Sequence, residues 1–406
     1  MRLSWGNSRT PAMGNDQDRP EPYRLFFLIG LGMGVVGVLP WIFLQMGIGF
    51  LPWNPIAFHG RTMFWGFLGA FVSGFLMTAA PKMSGSWPAR PWETALIASL
   101  LLAQVLFSFL GLEVWSLLSI VGVVLGLLSF LGRRFLGRRQ NPPAMFIFVP
   151  VALFSVLVGS GLLLSGMGSA ETLSYAKRLM YDAFILNLIV GLGSRLIPVL
   201  TRVPGALAPS GPGDTVSLWR GYLIVLVLLN ASFILEAFVA KEAGFLLRAV
   251  VLGTVLVRNF KVFAPRNPAG FLSSGIRLAA WSLALPYLGA LAFPAWELHF
   301  LHLSYIGGFA LLTLMIAVRV VLAHGDQPLT LELKTSALLG VAGLMLTAAL
   351  LRGLWPLIQP EHLFQEAALA SFVWLGALLL WQMAIGKKIK NAFQTLWLRS
   401  SKPLEK

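Results

Sequence analysis

Histidine is the side chain here best able to bind a metal or move a proton near neutral pH. There are five: His59, His299, His302, His324 and His362. Neutral imidazole is the usual nitrogen ligand of haem iron, copper and zinc. His299 and His302 are three residues apart and project from neighbouring faces of one helix. Cysteine is absent, which removes disulfides, thiolate metal sites, iron–sulfur clusters and cysteine nucleophiles together. The other candidates are charges set in apolar runs: Arg61 two residues after His59, Asp182 beside Tyr181, Glu236, Arg248, Arg195 and Arg319. An arginine in such a place holds an anion, a haem propionate or the carbonyl end of a helix. Snorkelling to lipid headgroups is the competing reading for each arginine. For each histidine it is an interfacial imidazole bonded to a backbone carbonyl or a headgroup.

The elements that carry these residues are long and apolar. Of 406 residues, 57% are hydrophobic and 12% charged, about half the charged share of a soluble domain. A helix crosses the bilayer core with roughly 20 apolar residues. That length predicts an all-α polytopic protein with twelve spans near 25–47, 57–80, 94–111, 114–132, 144–166, 179–200, 219–239, 244–263, 276–296, 298–322, 334–354 and 365–386. A polar N-terminal tail over 1–24 precedes them and a basic tail over 387–406 follows. No short apolar core with a small-residue cleavage site follows the first polar residues, so a cleaved signal peptide is not expected. The cations alternate. Lys82 and Arg90, Arg133 to Arg139, Arg202, Lys261 and Arg266, Lys334 and the C-terminal lysines fall on one side. The other loops are poor in them, with Lys177, Arg178 and Lys241 the exceptions. Positive residues gather on the cytoplasmic side, so both termini are expected to be cytoplasmic.

Orientation gives depth. His59, His299 and His302 fall in the outer third of the membrane, and Arg61 and Asp182 lie at similar depth and could pair. Glu236 and Arg248 form a second expected pair on consecutive helices. His324 is 22 residues beyond His302, roughly 33 Å at the helical rise, and belongs to the other side. His362 is expected in an outer loop, solvated.

Several signals are set aside. The net charge of +15 would point to nucleic acid in a soluble protein, but the cations sit between spans and serve orientation. Gly32-Met33-Gly34-Val35-Val36-Gly37 matches a dinucleotide fingerprint without the strand–turn–helix setting it needs, so it reads as helix packing. Gly122 and Gly126 have small-residue packing spacing. Twelve spans is also a common transporter number, but the polar groups lie near the faces and not at the midplane where transporters bind. No sequence repeat is strong enough to define internal units.

Four segments together resemble the NnrS family of bacterial membrane proteins. They are Arg24-Leu25-Phe26-Phe27; His59-Gly60-Arg61-Thr62-Met63-Phe64-Trp65-Gly66 with Gly74-Phe75-Leu76-Met77-Thr78-Ala79-Ala80-Pro81; Gly193-Ser194-Arg195-Leu196-Ile197-Pro198; and His302 with Gly307, Arg319, His324-Gly325 and Pro328-Leu329. The resemblance implies a twelve-span protein of the bacterial inner membrane, distantly like the main subunit of haem–copper oxidases, a likeness of fold alone. It implies haem b and copper, and a role with nitric oxide or nitrosative stress, a small gas ligand and redox partner proteins. His59 and His302 are the leading ligand candidates, with His299 as a replacement ligand and Arg61, Arg195 and Arg319 as cofactor-binding cations. The chain departs from the family's His-x-His-Glu at Arg61 and Thr62, and from its Gly-His-Thr-Gly-Arg at Ala323-His324-Gly325-Asp326-Gln327. An imidazole ligand is thereby replaced by a cation, so one metal centre, or none, is the expectation in place of two. A cofactor-poor structural subunit of a larger redox complex and a transporter are the alternative functions.

Overall fold

The computed structural model describes residues 21–389 apart from 167, 207–211, 326 and 387. The basic tail and most of the N-terminal tail lie outside the described residues. Among those described there is no strand. The long helices are α1 Tyr23–Gln45, α2 Pro55–Ser84, α3 Pro91–Phe109, α4 Glu113–Leu136, α5 Ala144–Ser165, α6 Ala170–Leu200, α7 Ser217–Phe238, α8 Lys241–Arg258, α9 Phe271–Ala292, α10 Pro294–His324, α11 Ala337–Ile358 and α12 Phe364–Gly386. All but α8 are long and apolar enough to cross a membrane. The eighth expected span, 244–263, corresponds to the 18-residue helix Lys241–Arg258, which carries Lys241, Glu242, Arg248 and Arg258. Its charge is tolerated because Arg248 is fully buried against Glu236 of α7, Nη2 to Oε2 at 2.7 Å, and lies over the Phe233 ring at 3.7 Å. That is the pairing expected from depth.

Three helices differ from the rest. α2, α6 and α10 run to 30, 31 and 31 residues, and 78, 78 and 72% of their apolar windows are buried, against 22–50% for the other apolar spans. They form the centre of the bundle. Each contains a π-helical stretch near the level of the histidines or Arg178, Thr62–Leu68, Leu179–Ala183 and Leu303–Ala310, while α12 has one only at its end, Gln382–Gly386. Widened turns of this kind re-aim the side chains that follow them, and they collect at functional sites. This internal likeness of α2, α6 and α10 is visible only in three dimensions.

Aromatic groups tie the three together. Trp65 of α2 stacks on Phe184 of α6 with centroids 4.8 Å apart. Phe64 meets Tyr181 of α6 at 4.9 Å and Tyr305 of α10 at 5.1 Å. α12 closes the ring, its Trp374 indole donating to the Gly34 carbonyl of α1 and its Trp381 indole to that of Leu314 in α10, at 2.9 and 3.1 Å. Two of the three glycines of the false fingerprint act in packing, for a Cβ on Gly34 or Gly37 would meet Phe67 at 3.0 Å or the Met63 sulfur at 2.7 Å, whereas Gly32 faces open space. Gly122 and Gly126 likewise face Leu100 and Ile97 across the α3–α4 contact.

Candidate functional site

α1 is broken at Gly37–Val38, and the break supplies a ligand-orienting group. Pro40 has no N–H to donate, and the Trp41 amide bonds to the Val38 carbonyl instead of the Gly37 carbonyl one turn back. The Gly37 carbonyl is left facing α2. There Asn54 caps the helix by accepting from the Ala57 amide at 3.1 Å, with Pro55 in the first turn. His59 stands just inside this end, its Nδ1 2.7 Å from the Gly37 carbonyl oxygen. Trp41 covers the ring edge-on at 5.3 Å. A carbonyl can only accept, so Nδ1 carries the hydrogen and Nε2 keeps a free lone pair.

His302 repeats this arrangement. Its Nδ1 is 2.7 Å from the Leu298 carbonyl, one turn back, at the residue where α10 passes into its π stretch. Nε2 is again the free nitrogen. His299 is the reverse. Arg352 of α11 donates from Nη1 to His299 Nδ1 at 3.0 Å, which leaves the hydrogen of the neutral ring on Nε2. His59, His299, His302 and Arg352 are near enough for their charges to interact. The histidines that depth alone placed together are therefore together in space. Glu366 of α12 faces Arg352, and both its carboxylate oxygens are buried without a hydrogen-bond partner among the described residues. Arg352 and Glu366 escape sequence reasoning because each stands near a span end, where charged residues are common.

The other charges sort differently from expectation. Arg61 pairs with Glu113 at the start of α4, and Tyr181 lies close enough to interact with it. Asp182 pairs one helical turn away with Arg178, Oδ2 to Nη1 at 3.3 Å, and accepts from the Tyr305 hydroxyl at 3.0 Å. The expected Arg61–Asp182 pair is not formed. Arg178 is expected in a loop over 167–178, but Ala170–Arg178 is the first part of α6, capped by Ser169. From there it reaches Asp182, Glu236 at 2.8 Å, and Glu297. Arg248 and Lys241 complete the balance. Arg178 stands three residues before Tyr181, as Arg61 does before Phe64 and His302 before Tyr305, so the three central helices bring equivalent positions to one depth.

At the opposite end of the bundle, Arg319 and Arg202 share the buried carboxylate of Glu332. Arg195 is exposed in a groove there. His324 Nδ1 lies 2.5 Å from Lys82 Nζ and 3.1 Å from Glu21 Oε1. Burial raises the Glu21 carboxyl, but the contact with His324 and the positive charge of Lys82 outweigh it and hold it below the ordinary value. Arg195 and Arg319 thus do not share a site with His59 and His302. His362 is exposed. Among the described residues, no three His, Asp or Glu side chains gather as a metal-binding cluster.

A family profile described as NnrS protein matches residues 19–389. The chain belongs to the NnrS family. The match takes in every described helix and all four segments that carried the resemblance. No curated protein matches. Within this NnrS-family chain, the guanidinium of Arg61, two residues after His59, is engaged by Glu113.

Proposed function

We propose that this NnrS-family membrane protein binds haem b through His59 and His302 and acts in nitrogen-oxide or related redox chemistry, with nitric oxide as a candidate gas ligand. The observation that carries the reading is the shared tautomer: both rings spend Nδ1–H on a backbone carbonyl and keep Nε2 for a metal. That hydrogen bond orients an imidazole and raises its basicity as a ligand. Imidazole donors without a third protein ligand would suit haem iron better than a closed metal cage. When bound, haem would supply a redox-active iron, which would take a diatomic ligand only where one of the two imidazoles gives way to it. Of the cations, Arg352 stands nearest this chemistry and would hold a carboxylate; Arg61, Arg195 and Arg319 are already engaged or remote. His299, with Nδ1 occupied, would position Arg352 and not serve as a ligand. A copper centre has no three-donor cluster among the described residues, so the proposal is confined to haem. The setting is the bacterial inner membrane, with a redox partner protein as electron donor.

The test is the absorption spectrum and metal content of the purified protein. A Soret band that disappears in His59→Ala and in His302→Ala is the expected result. A colourless, metal-free but folded wild type would refute haem binding. It would favour the second reading, a cofactor-poor subunit of a membrane redox complex, for which the Arg61–Glu113 pair in place of a ligand is the supporting observation.

A further inference from the structure

At the end of the bundle away from the histidines, a groove of about 1670 Å³ lies between α4, α5, α6, α7 and α8. α7, on its wall, is the most peripheral of the apolar spans, with only 22% of its apolar window buried. The walls are aliphatic, including Leu128, Val149, Leu153, Ile224, Val225 and Val251. Among the described residues, four cations line it and no carboxylate does. Arg134 is held by Glu93 through two bonds of 2.6 and 2.7 Å. The other three, Arg195, Arg258 and Lys261, are exposed, and no ion pair joins them to a carboxylate among the described residues. They stand near the ends of α6 and α8, and Arg195 is close enough to Tyr222 on the wall to interact with it. Apolar walls that end in a cluster of unpaired cations match a molecule with hydrocarbon chains and an anionic head. Basic pockets between membrane helices bind anionic lipid headgroups in this way.

We propose that this groove is a binding site for one anionic phospholipid, its phosphate held by Arg195, Arg258 and Lys261 and its acyl chains lying along the walls of α5 and α7. The site is separate from the histidine end and does not depend on haem being bound there.

The test uses the full-length protein in detergent, by native mass spectrometry during titration with phosphatidylglycerol and, separately, phosphatidylcholine. The wild type is expected to retain one phosphatidylglycerol and to release phosphatidylcholine. Each cation near an anionic group is worth about a fivefold change. The triple variant Arg195→Ala, Arg258→Ala, Lys261→Ala should therefore lose retention by roughly a hundredfold. Lys177→Ala, at the other end, should change nothing. The variant Arg195→Lys, Arg258→Lys keeps the charge and should still retain the lipid, which separates loss of charge from loss of fold. Equal retention of the two lipids, or retention of phosphatidylglycerol by the triple variant, would overturn the proposal. So would loss of lipid in the Lys variant. A haem absorption band that vanishes in the triple variant, with lipid binding unchanged, would also overturn it.

Discussion

Replacing Arg178 by methionine keeps most of the side-chain volume of α6 and removes the cation that serves three carboxylates. The consequence for each is readable from its remaining partners. Glu236 keeps Arg248 at 2.7 Å, and Glu297 keeps Lys241. Asp182 keeps only the Tyr305 hydroxyl at 3.0 Å. The Asp182 side chain is 3% exposed, so the variant strands one carboxylate in a site that water does not reach. Breaking a buried pair from one side costs about 3–5 kcal/mol. Replacing both partners by neutral groups costs far less, because no unpaired charge remains. Arg178→Met is therefore expected to lower stability by about that much, and the double variant Arg178→Met, Asp182→Asn to recover most of it. The assay is unfolding of the purified protein in detergent, followed by circular dichroism for wild type, both single variants and the double. A coupling energy of about 2 kcal/mol or more supports the reading. Arg178→Met within about 1 kcal/mol of wild type, or a double variant no better than the single, would refute the claim that Arg178 neutralises Asp182.

Two further outcomes follow from particular contacts. Gly159 of α5 lies against the Ala176 carbonyl of α6, where a Cβ would come to 2.5 Å. Gly159→Ala should therefore push away the turn that carries Arg178 and cost about 1–3 kcal/mol, measured by the same unfolding assay. The Glu21 carboxyl is held below its ordinary value of 4.5 in the folded protein. Its contribution is present above that value and is lost as pH falls through the lower, folded value. Glu21→Gln should lower stability at neutral pH and flatten the fall in melting temperature below about pH 4.5. An unchanged acid limb would show that the contact with His324 and Lys82 contributes nothing. The effect is expected to be modest, since the Glu21 side chain is 24% exposed and water screens the pair.

Much of the architecture can be read from composition and the spacing of charge. Apolar length alone placed eleven of the spans within a few residues of the observed helices, apart from the early start of α6. That start was hidden because Lys177 and Arg178 look like loop cations. Only a neighbouring helix bearing Glu236 and another bearing Glu297 allow Arg178 to be buried. The same limit explains Arg61. Depth along the membrane normal follows from residue number at the helical rise, so Arg61 and Asp182 were correctly placed at one level. The choice of partner depends on the direction each side chain takes around its helix, and the π stretches reset that direction. Arg61 consequently finds Glu113, and Asp182 finds Arg178. His59 and His302 were named from residue type and depth. Their ring tautomers were not, because the carbonyl that orients His59 lies 22 residues away across a break in α1. Membrane helices, their order and the depth of each polar residue are set by the local run of apolar side chains. Which polar groups meet, and which imidazole nitrogen stays free, is decided by helix rotation and packing, to which residues far apart in the chain contribute together.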